Sequence, residues 1–326
     1  MSINKFVCTP NGRFTAAITP EGKVVCWGND VINRHNAALE TQIVTYFCVH
    51  DYNGAAITSE GKVICCGENS SKVCNVPKDL ENVIAVSIRN THCAALTADG
   101  KVVCWGDNFH KQCDVPIDLE NVIAVSCGNC FTVALTAEGR VVCWGDNYKN
   151  ICRVPRNLHN VIQIKCNSSN VIALTSNGKV VCWGSNDCKQ CNVPVDLENV
   201  IAISCGNFHF AALTAEGRVV CWGYNCDNQC YVPADVQNVI YICCGGGHTA
   251  AITSENKVIC WGDNMYHQCN VPIDLDRVVL VCCGVYHTAA LTTEGRVVCW
   301  GDNGHNQRDV PADLIVDTQT GEVVLL

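Results

Sequence analysis

Long apolar runs are missing from this sequence. No segment approaches the roughly 18 consecutive apolar residues that a membrane helix requires, and the first ten residues, MSINKFVCTP, lack the apolar stretch of a signal peptide. We therefore expect no signal peptide, no membrane insertion, and synthesis in the cytoplasm.

Basic residues and catalytic signatures are also scarce. Lys and Arg number 22 against 31 Asp and Glu, which leaves a formal net charge of -9 and argues against general nucleic-acid binding. No Gly-x-Ser-x-Gly, phosphate-binding loop or His-Glu-x-x-His occurs, and no pair of carboxylates stands out from the repeat background. We therefore expect neither enzyme activity nor a cofactor.

Helical periodicity is absent as well, and a repeat organises the chain instead. The segment Val-Val-Cys-Trp-Gly at 24–28 recurs in eight copies at an unbroken spacing of 39 residues. All seven tryptophans occupy one column of the repeat, and Cys66 stands in the eighth place. These copies predict one repeat domain over 1–314, and the remaining residues, 315–326, are predicted to form a tail or hairpin.

One unit of the repeat contains four candidate strands. The first three are the apolar, β-branched runs 121–128, 131–136 and 140–144, and the fourth is 152–155, whose proline suits an edge position. Four short strands per unit are typical of a propeller blade. The sequence thus predicts an all-β fold, a single β-propeller of eight four-stranded blades, with seven blades and sealing terminal strands as the alternative.

The unit also carries a family resemblance. Residues 206–223, GNFHFAALTAEGRVVCWG, resemble the repeat of the regulator-of-chromosome-condensation family. With Gly-Asp-Asn at 262–264, Gln268 and Val-Pro at 271–272, the unit is similar to the propeller subgroup that includes the type II β-lactamase inhibitory protein. Its cysteine content resembles arrays encoded by giant DNA viruses of amoebae.

The resemblance implies a propeller that binds another protein. Nucleotide exchange on a small GTPase and enzyme inhibition are the regulatory alternatives that it carries. The uniform 39-residue units leave no room for the inserted wedge that such exchange factors use, and the net charge of -9 opposes DNA binding.

Alternating strand directions would place the loops after strands one and three on one rim and the other connections on the opposite rim. The second rim repeats its acidic residues from unit to unit, which suits turn chemistry and solvation. The first rim diverges, and loops on a rigid scaffold are where binding residues concentrate. We expect a protein partner to contact an arc of five consecutive units there, with unconstrained loop drift as the alternative explanation. The candidate residues are Phe109, His110, Tyr148, Phe208, Tyr266 and Tyr286.

Two further columns return once per unit and invite a catalytic interpretation. They are the tryptophans and the set His92, His209, His248 and His287. A residue type placed by the repeat itself is better explained by packing. We expect Trp to wedge between blades and His to hydrogen-bond the backbone.

The 28 cysteines are unusual for a chain without an export signal. Six units carry two cysteines nine residues apart, and neighbouring strands would bring such pairs towards disulfide range. The candidate disulfides are Cys65 with Cys74, Cys104 with Cys113, Cys143 with Cys152, Cys182 with Cys191, Cys221 with Cys230, and Cys260 with Cys269.

Against general pairing, Cys26 and Cys299 have His35 and Arg308 in the partner position. Buried reduced thiols are the main alternative to disulfides. Zinc is a weaker rival, because the C-x-x-C spacings at 127–130 and 188–191 lack the second pair of a zinc ribbon, and we predict no metal site.

Composition and resemblance together predict a non-enzymatic structural or interaction protein. It would be a rigid disc that binds a protein partner, or further copies of itself, through the variable rim. A virus particle is the expected location, since oxidation inside a particle would allow disulfides without a signal peptide, and the host cytosol is the alternative.

Overall fold

The computed structural model describes residues 6–8, 14–28, 39, 42–89, 91–316 and 318. Within these residues the chain forms eight sheets, each of three antiparallel strands in chain order. We number the sheets 1 to 8 along the chain.

Sheets 1 to 4 contain β1 (Phe6–Cys8), β2 (Phe14–Ile18), β3 (Val24–Gly28), β4 (Val44–His50), β5 (Asn53–Thr58), β6 (Val63–Gly67), β7 (Val83–Ile88), β8 (His92–Thr97), β9 (Val102–Gly106), β10 (Val122–Cys127), β11 (Phe131–Thr136) and β12 (Val141–Gly145). A short 3₁₀ turn, Tyr148–Asn150, follows β12. Sheets 5 to 8 contain β13 (Val161–Cys166), β14 (Asn170–Thr175), β15 (Val180–Gly184), β16 (Val200–Cys205), β17 (His209–Thr214), β18 (Val219–Gly223), β19 (Val239–Cys244), β20 (His248–Thr253), β21 (Val258–Gly262), β22 (Val278–Cys283), β23 (His287–Thr292) and β24 (Val297–Gly301).

The core lies between neighbouring sheets. The middle strand of a sheet is covered on both faces, so all six residues of β11 are buried. Between sheets 5 and 6, Ile172 and Leu174 pack against Ile203, Phe210 and Trp222. First strands of successive sheets contact one another, which places them innermost around the ring.

The contacts between neighbouring sheets continue from sheet 8 to sheet 1. The indole Nε1 of Trp27 donates to the carbonyl oxygen of Gln307 at 3.1 Å, and His287 Nε2 lies 2.9 Å from Thr15 Oγ1. Phe6 shares a core with Leu291 of β23. The all-β fold and the count of eight repeated sheets are confirmed, and these sheets are the blades of a propeller.

The predicted fourth strand does not form. Residue 152 lies in a turn and residues 153–155 pair with no strand. Turns on both sides use the nearby amides, since Arg153 N donates to Asn150 O and Leu158 N to Pro155 O, both at 3.0 Å. Proline supplies no N–H of its own. Val154 still packs on the core, so the blade of sheet 4 consists of three paired strands and an unpaired segment, and no fourth strand forms elsewhere among the described residues.

Only part of the C-terminal segment 315–326 belongs to the described residues. Val316 is buried, and its N–H donates to Gly295 O at 3.0 Å, as Val278 N does to Asn256 O in the preceding unit. The predicted hairpin lies largely outside the described residues, as does His35, and the boundary at 314 stays a prediction. In the described part of the chain, no helix has the length and apolar character needed to cross a membrane.

Candidate partner-binding rim

Hydrogen bonds separate the two edges of the ring. The loop after strand three donates to the loop after strand one of the same sheet, as in Asp107 N to Thr91 O at 2.8 Å. On the opposite edge, the turn between strands two and three accepts from the next unit, as in Val122 N to Gly100 O at 3.1 Å. We call these edges the first rim and the second rim.

The glycine that ends strand three starts each first-rim loop. Gly223 has a φ of 109°, and a Cβ at this position would lie 2.7 Å from the carbonyl oxygen of Phe208. A side chain would therefore clash with the loop that the next residue must reach, since Tyr224 N donates to that same carbonyl. This is why the repeat ends in Trp-Gly.

The Asp-Asn and Gln positions then fix the loop. In sheet 3, Asp107 Oδ1 accepts from Phe109 N at 3.3 Å, and Gln112 Oε1 accepts from His110 N at 2.9 Å. Gln112 Nε2 donates in turn to Asp107 Oδ2 at 3.0 Å. Because side chains satisfy the loop amides, Phe109 projects into solvent from a fixed backbone.

The predicted residues lie on the exposed side of this rim, apart from Tyr286, which is half-buried. His110 is exposed. Two other exposed apolar residues, Met265 and Tyr52, were not among the predicted set. The exposed fractions are 85% for Phe109, 82% for Met265, 72% for Tyr148, 52% for Phe208, 48% for Tyr52 and 43% for Tyr266.

Some of these side chains touch. The rings of Tyr266 and Tyr286 lie 4.8 Å apart across the junction of sheets 7 and 8. Phe109 meets His110 edge to face at 5.0 Å, and Phe208 lies 6.2 Å from Tyr224, a contact that the sequence did not indicate.

The predicted residues do not come from five consecutive units, so that expectation is wrong. They lie on sheets 3, 4, 6, 7 and 8. Sheet 5 carries the small or charged residues Ser169 and Asp187 in the same columns. Lys149, whose ammonium lies 5.5 Å from the ring centroid of Tyr148, reaches Asp187 Oδ1 at 2.8 Å and bridges sheets 4 and 5.

A cleft of about 580 Å³ interrupts the first rim at sheet 2. Its lining includes Tyr52, Glu68 and the thiols of Cys65, Cys66 and Cys74. The cleft therefore lies where the tryptophan column is broken by the much smaller Cys66. The sequence marked this position as irregular without indicating a cleft.

Arg89 is a further residue that the sequence did not single out. It follows strand β7, is buried, and donates to the carbonyl oxygens of Cys127 at 3.4 Å and Cys166 at 3.3 Å and to Ser168 Oγ at 3.2 Å. Glycine stands in the equivalent place in sheets 4, 6, 7 and 8, at Gly128 for example. One arginine thus links sheets 3, 4 and 5 beside the innermost strands.

The second rim has the turn chemistry that its repeated acids predict. Hydrogen bonds from Thr136 and from its own backbone lower the pKa of Glu138, and Asn121 Nδ2 donates to Glu138 at 3.2 Å. This rim also exposes aliphatic residues between its turns, which the repeated acids did not indicate. The most exposed are Ile117, Val195 and Ile273, at 103%, 102% and 105%.

The expectation that the column histidines hydrogen-bond the backbone is wrong for their Nε2 atoms, which lie against threonine side chains of the next sheet. His209 Nε2 lies 2.9 Å from Thr249 Oγ1 of the next sheet, and Thr249 Oγ1 donates to Gln229 O at 3.2 Å. His92, His248 and His287 make the same pairing. Burial lowers the pKa of His209 to about 4 and that of His248 to about 3, so these rings are neutral.

The tryptophan column wedges between blades as predicted. Trp222 Nε1 donates to Gln190 O of the preceding unit at 3.0 Å, and Trp105, Trp183, Trp261 and Trp300 make equivalent bonds. Trp144 is buried without a hydrogen-bond partner for its Nε1 in the described residues.

All 28 cysteines are free thiols in this structure. The pairs nine residues apart do come together: Cys143 Sγ lies 2.8 Å from Cys152 Sγ, and each of the other five pairs interacts electrostatically. Their bridging stays a prediction. Among the described residues, no group of three or more His, Cys, Asp or Glu could hold a metal ion.

Comparison of folds places this chain beside known propellers. It is similar to the ectodomain of the receptor kinase CR4 from Physcomitrella patens, with a TM-score of 0.61 and 20% identity over 80% of this chain and 73% of that one. It is similar to human WBSCR16, with a TM-score of 0.59 and 19% identity over 83% and 90%. Prp20p from Saccharomyces cerevisiae gives a TM-score of 0.55 and 18% identity over 70% and 74%.

Comparison of sequences is more specific. No curated protein matches the chain. The model of the regulator of chromosome condensation (RCC1) repeat matches residues 83–112, 122–150, 161–190, 200–229, 239–268 and 278–307, one match for each of sheets 3 to 8. Since these matches cover more than half of the chain, the protein belongs to the regulator of chromosome condensation (RCC1) repeat family.

Proposed function

We propose that this chain is a non-enzymatic, protein-binding propeller whose partner site is the first rim. The observation that carries the proposal is the row of exposed aromatic and methionine side chains on loops whose backbones are already fixed. Large anchors of this kind dominate the energy of protein interfaces. A preorganised loop also loses little conformational entropy when a partner binds.

The state of the reactive side chains supports a non-enzymatic role. The four histidines of the repeat column are buried, neutral and bonded to threonine. Carboxylates such as Glu138 are held within their own turns. Burial raises the pKa of half-buried thiols such as Cys74 and Cys113 to about 11. These side chains are thus engaged in packing or in turn hydrogen bonds.

A matched pair of variants tests the site. The first-rim set is Phe109→Ala, Tyr148→Ala and Met265→Ala, and the control set is Ile117→Ala, Val195→Ala and Ile273→Ala, which removes equally exposed apolar side chains from the second rim. A photo-crosslinking residue at 109 would first identify the partner, and titration calorimetry would then compare both sets. Truncating an anchor residue to alanine costs on the order of 2 kcal/mol of binding free energy, so the first-rim set should weaken binding at least about 30-fold.

The control set should stay within a few-fold of the parent chain. Both sets must retain the parent melting temperature, which exposed positions permit. Equal losses from the two sets, or a loss from the second-rim set alone, would contradict the assignment.

Nucleotide exchange is the second candidate function, because Prp20p is described by its binding to Gsp1p and histones. Release of a fluorescent guanine nucleotide from small GTPases, with and without this chain, separates exchange from simple binding. We expect no acceleration, since the 39-residue spacing leaves no inserted segment beyond the uniform loops.

We also propose that the chain is a virus-particle component, with the host cytosol as the alternative location. The support is compositional: 28 of the 326 residues are cysteine, and oxidation inside a particle would allow disulfides to form. Quantitative mass spectrometry of purified particles against host cytosol tests it, and enrichment in the cytosol would overturn it.

A further inference from the structure

The innermost strands bring two positions of neighbouring units together. Cys127 N, at the end of β10, donates to Ser87 Oγ of β7 at 3.0 Å, and Cys244 N makes the same bond to Ser204 Oγ. Between sheets 4 and 5, Ser126 Oγ lies 2.9 Å from Cys166 Sγ. The next-to-last residue of one first strand therefore contacts the last residue of the following first strand.

At two junctions both of these positions are cysteine. Cys243 meets Cys283 between sheets 7 and 8, where the thiol of Cys283 donates to the carbonyl oxygen of Cys243 at 3.6 Å. Cys282 and Cys8 occupy the same two positions between sheets 8 and 1, where β22 contacts β1 and both cysteines belong to one buried cluster. Both junctions flank sheet 8, where the last repeat meets the first.

We propose that Cys243 with Cys283 and Cys282 with Cys8 are disulfide sites between neighbouring sheets, formed by exchange with a small-molecule disulfide. They differ from the pairs nine residues apart, which lie within one blade and leave the sheets unlinked. Bonds at these two sites would tie sheet 7 to sheet 8 and sheet 8 to sheet 1, fastening the ring where the first and last repeats meet.

The surroundings of Cys243 make it the first nucleophile. It is half-buried, whereas Cys8, Cys282 and Cys283 are buried. Hydrogen bonds from Cys283 and the nearby Lys165 ammonium lower the pKa of Cys243, while burial raises the pKa of Cys283. The thiolate is the attacking species in exchange.

The exchange balances in two steps. The Cys243 thiolate attacks one sulfur of the oxidant, breaking its S–S bond and releasing one thiolate. Cys283 then loses its proton and attacks the Cys243 sulfur, forming the protein disulfide and releasing the second thiolate. The two cysteines lose two electrons and two protons in total, and the oxidant leaves as two thiols. Cys282 and Cys8 react in the same way.

Oxidation of the purified full chain with oxidised glutathione tests the proposal. Free thiols are alkylated, and the disulfides are mapped by mass spectrometry of non-reduced peptides. We expect linked peptides joining Cys243 to Cys283 and Cys8 to Cys282. The exposed Cys226 should form a mixed disulfide and thereby report that the oxidant was active.

Cys282→Ser is the matched variant, because serine occupies the equivalent position at Ser126 and folds there beside a cysteine. It should lose the link to Cys8 and keep the link between Cys243 and Cys283. A rise in melting temperature on oxidation should be smaller in this variant than in the parent chain. Alkylation of all four inner thiols when Cys226 is modified, or links to other partners, would overturn the proposal.

Discussion

Acidification from pH 7 to pH 5 should destabilise the ring through its buried histidines. The pKa of His92, His209 and His287 is lowered to about 4 and that of His248 to about 3, chiefly by burial, against 6.5 for an unhindered imidazole. The unfolded chain therefore binds more protons than the folded one between those values. The stability is complete above pH 6.5 and is lost as the pH falls towards 4.

The magnitude follows from the shift. A histidine with a folded pKa near 4 and an unfolded pKa near 6.5 loses about 2 kcal/mol of stability between pH 7 and pH 5. Four such residues lose up to about 8 kcal/mol, which is comparable to the whole stability of an ordinary domain. This loss of stability arises at the four His–Thr contacts, because each imidazole ring is buried between two sheets and cannot be protonated there without cost.

Urea unfolding at pH 7, 6 and 5, followed by tryptophan fluorescence, measures the effect. His209→Asn should reduce the dependence on pH by about a quarter, because one of four equivalent groups is removed; asparagine occupies the same column at Asn170. His110→Asn, on the exposed rim, removes one histidine without touching the buried column. Identical urea midpoints at pH 7 and pH 5, or an unchanged pH dependence in His209→Asn, would refute the reasoning.

Other substitutions probe the repeat columns. Trp222→Phe should cost about 1 kcal/mol more than Trp144→Phe in urea unfolding, because only the former loses a hydrogen bond, and equal costs would contradict this. Asn225→Ala removes the acceptor for Cys230 N and should lower the free energy of unfolding by about 1 kcal/mol. Lys149→Ala breaks an exposed ion pair with Asp187 and should change the free energy of unfolding by less than about 0.5 kcal/mol. Alkylation of denatured, non-reduced protein should add fewer than 28 groups, and full labelling would reject the disulfides within blades.

The sequence predicts the repeated elements of each sheet more clearly than the contacts between neighbouring sheets. The 39-residue spacing and the tryptophan column were sufficient for the number of sheets and for the wedge role of Trp222. The pairing of His209 with Thr249 was not visible, because it depends on how one sheet is offset against the next. The same offset sets Cys243 against Cys283, which lie 40 residues apart and therefore belong to different units.

The errors have local causes. The segment at 152–155 ends in a proline that suits an edge strand, yet turn hydrogen bonds on both sides use the amides of Arg153 and Leu158. The rim residues do not lie on consecutive units because sheet 5 carries Ser169 and Asp187 in the two rim columns. Arg89 has no periodic signal because it is a single departure from glycine, and its hydrogen bonds form only where three sheets meet.

The contacts between sheets close a ring, and this closure affects how the molecule unfolds. In an open stack of repeats, the terminal units have one neighbour each and fray first. Here His287 of the last sheet hydrogen-bonds Thr15 of the first, and Trp27 of the first sheet donates to Gln307 O of the last unit. Each unit therefore has two neighbours, and none is a free end. Opening the circle at any junction exposes two faces at once, which makes the first break the costly one. Amide exchange in sheets 2 to 8 should accordingly report one shared opening event rather than a gradient from the termini.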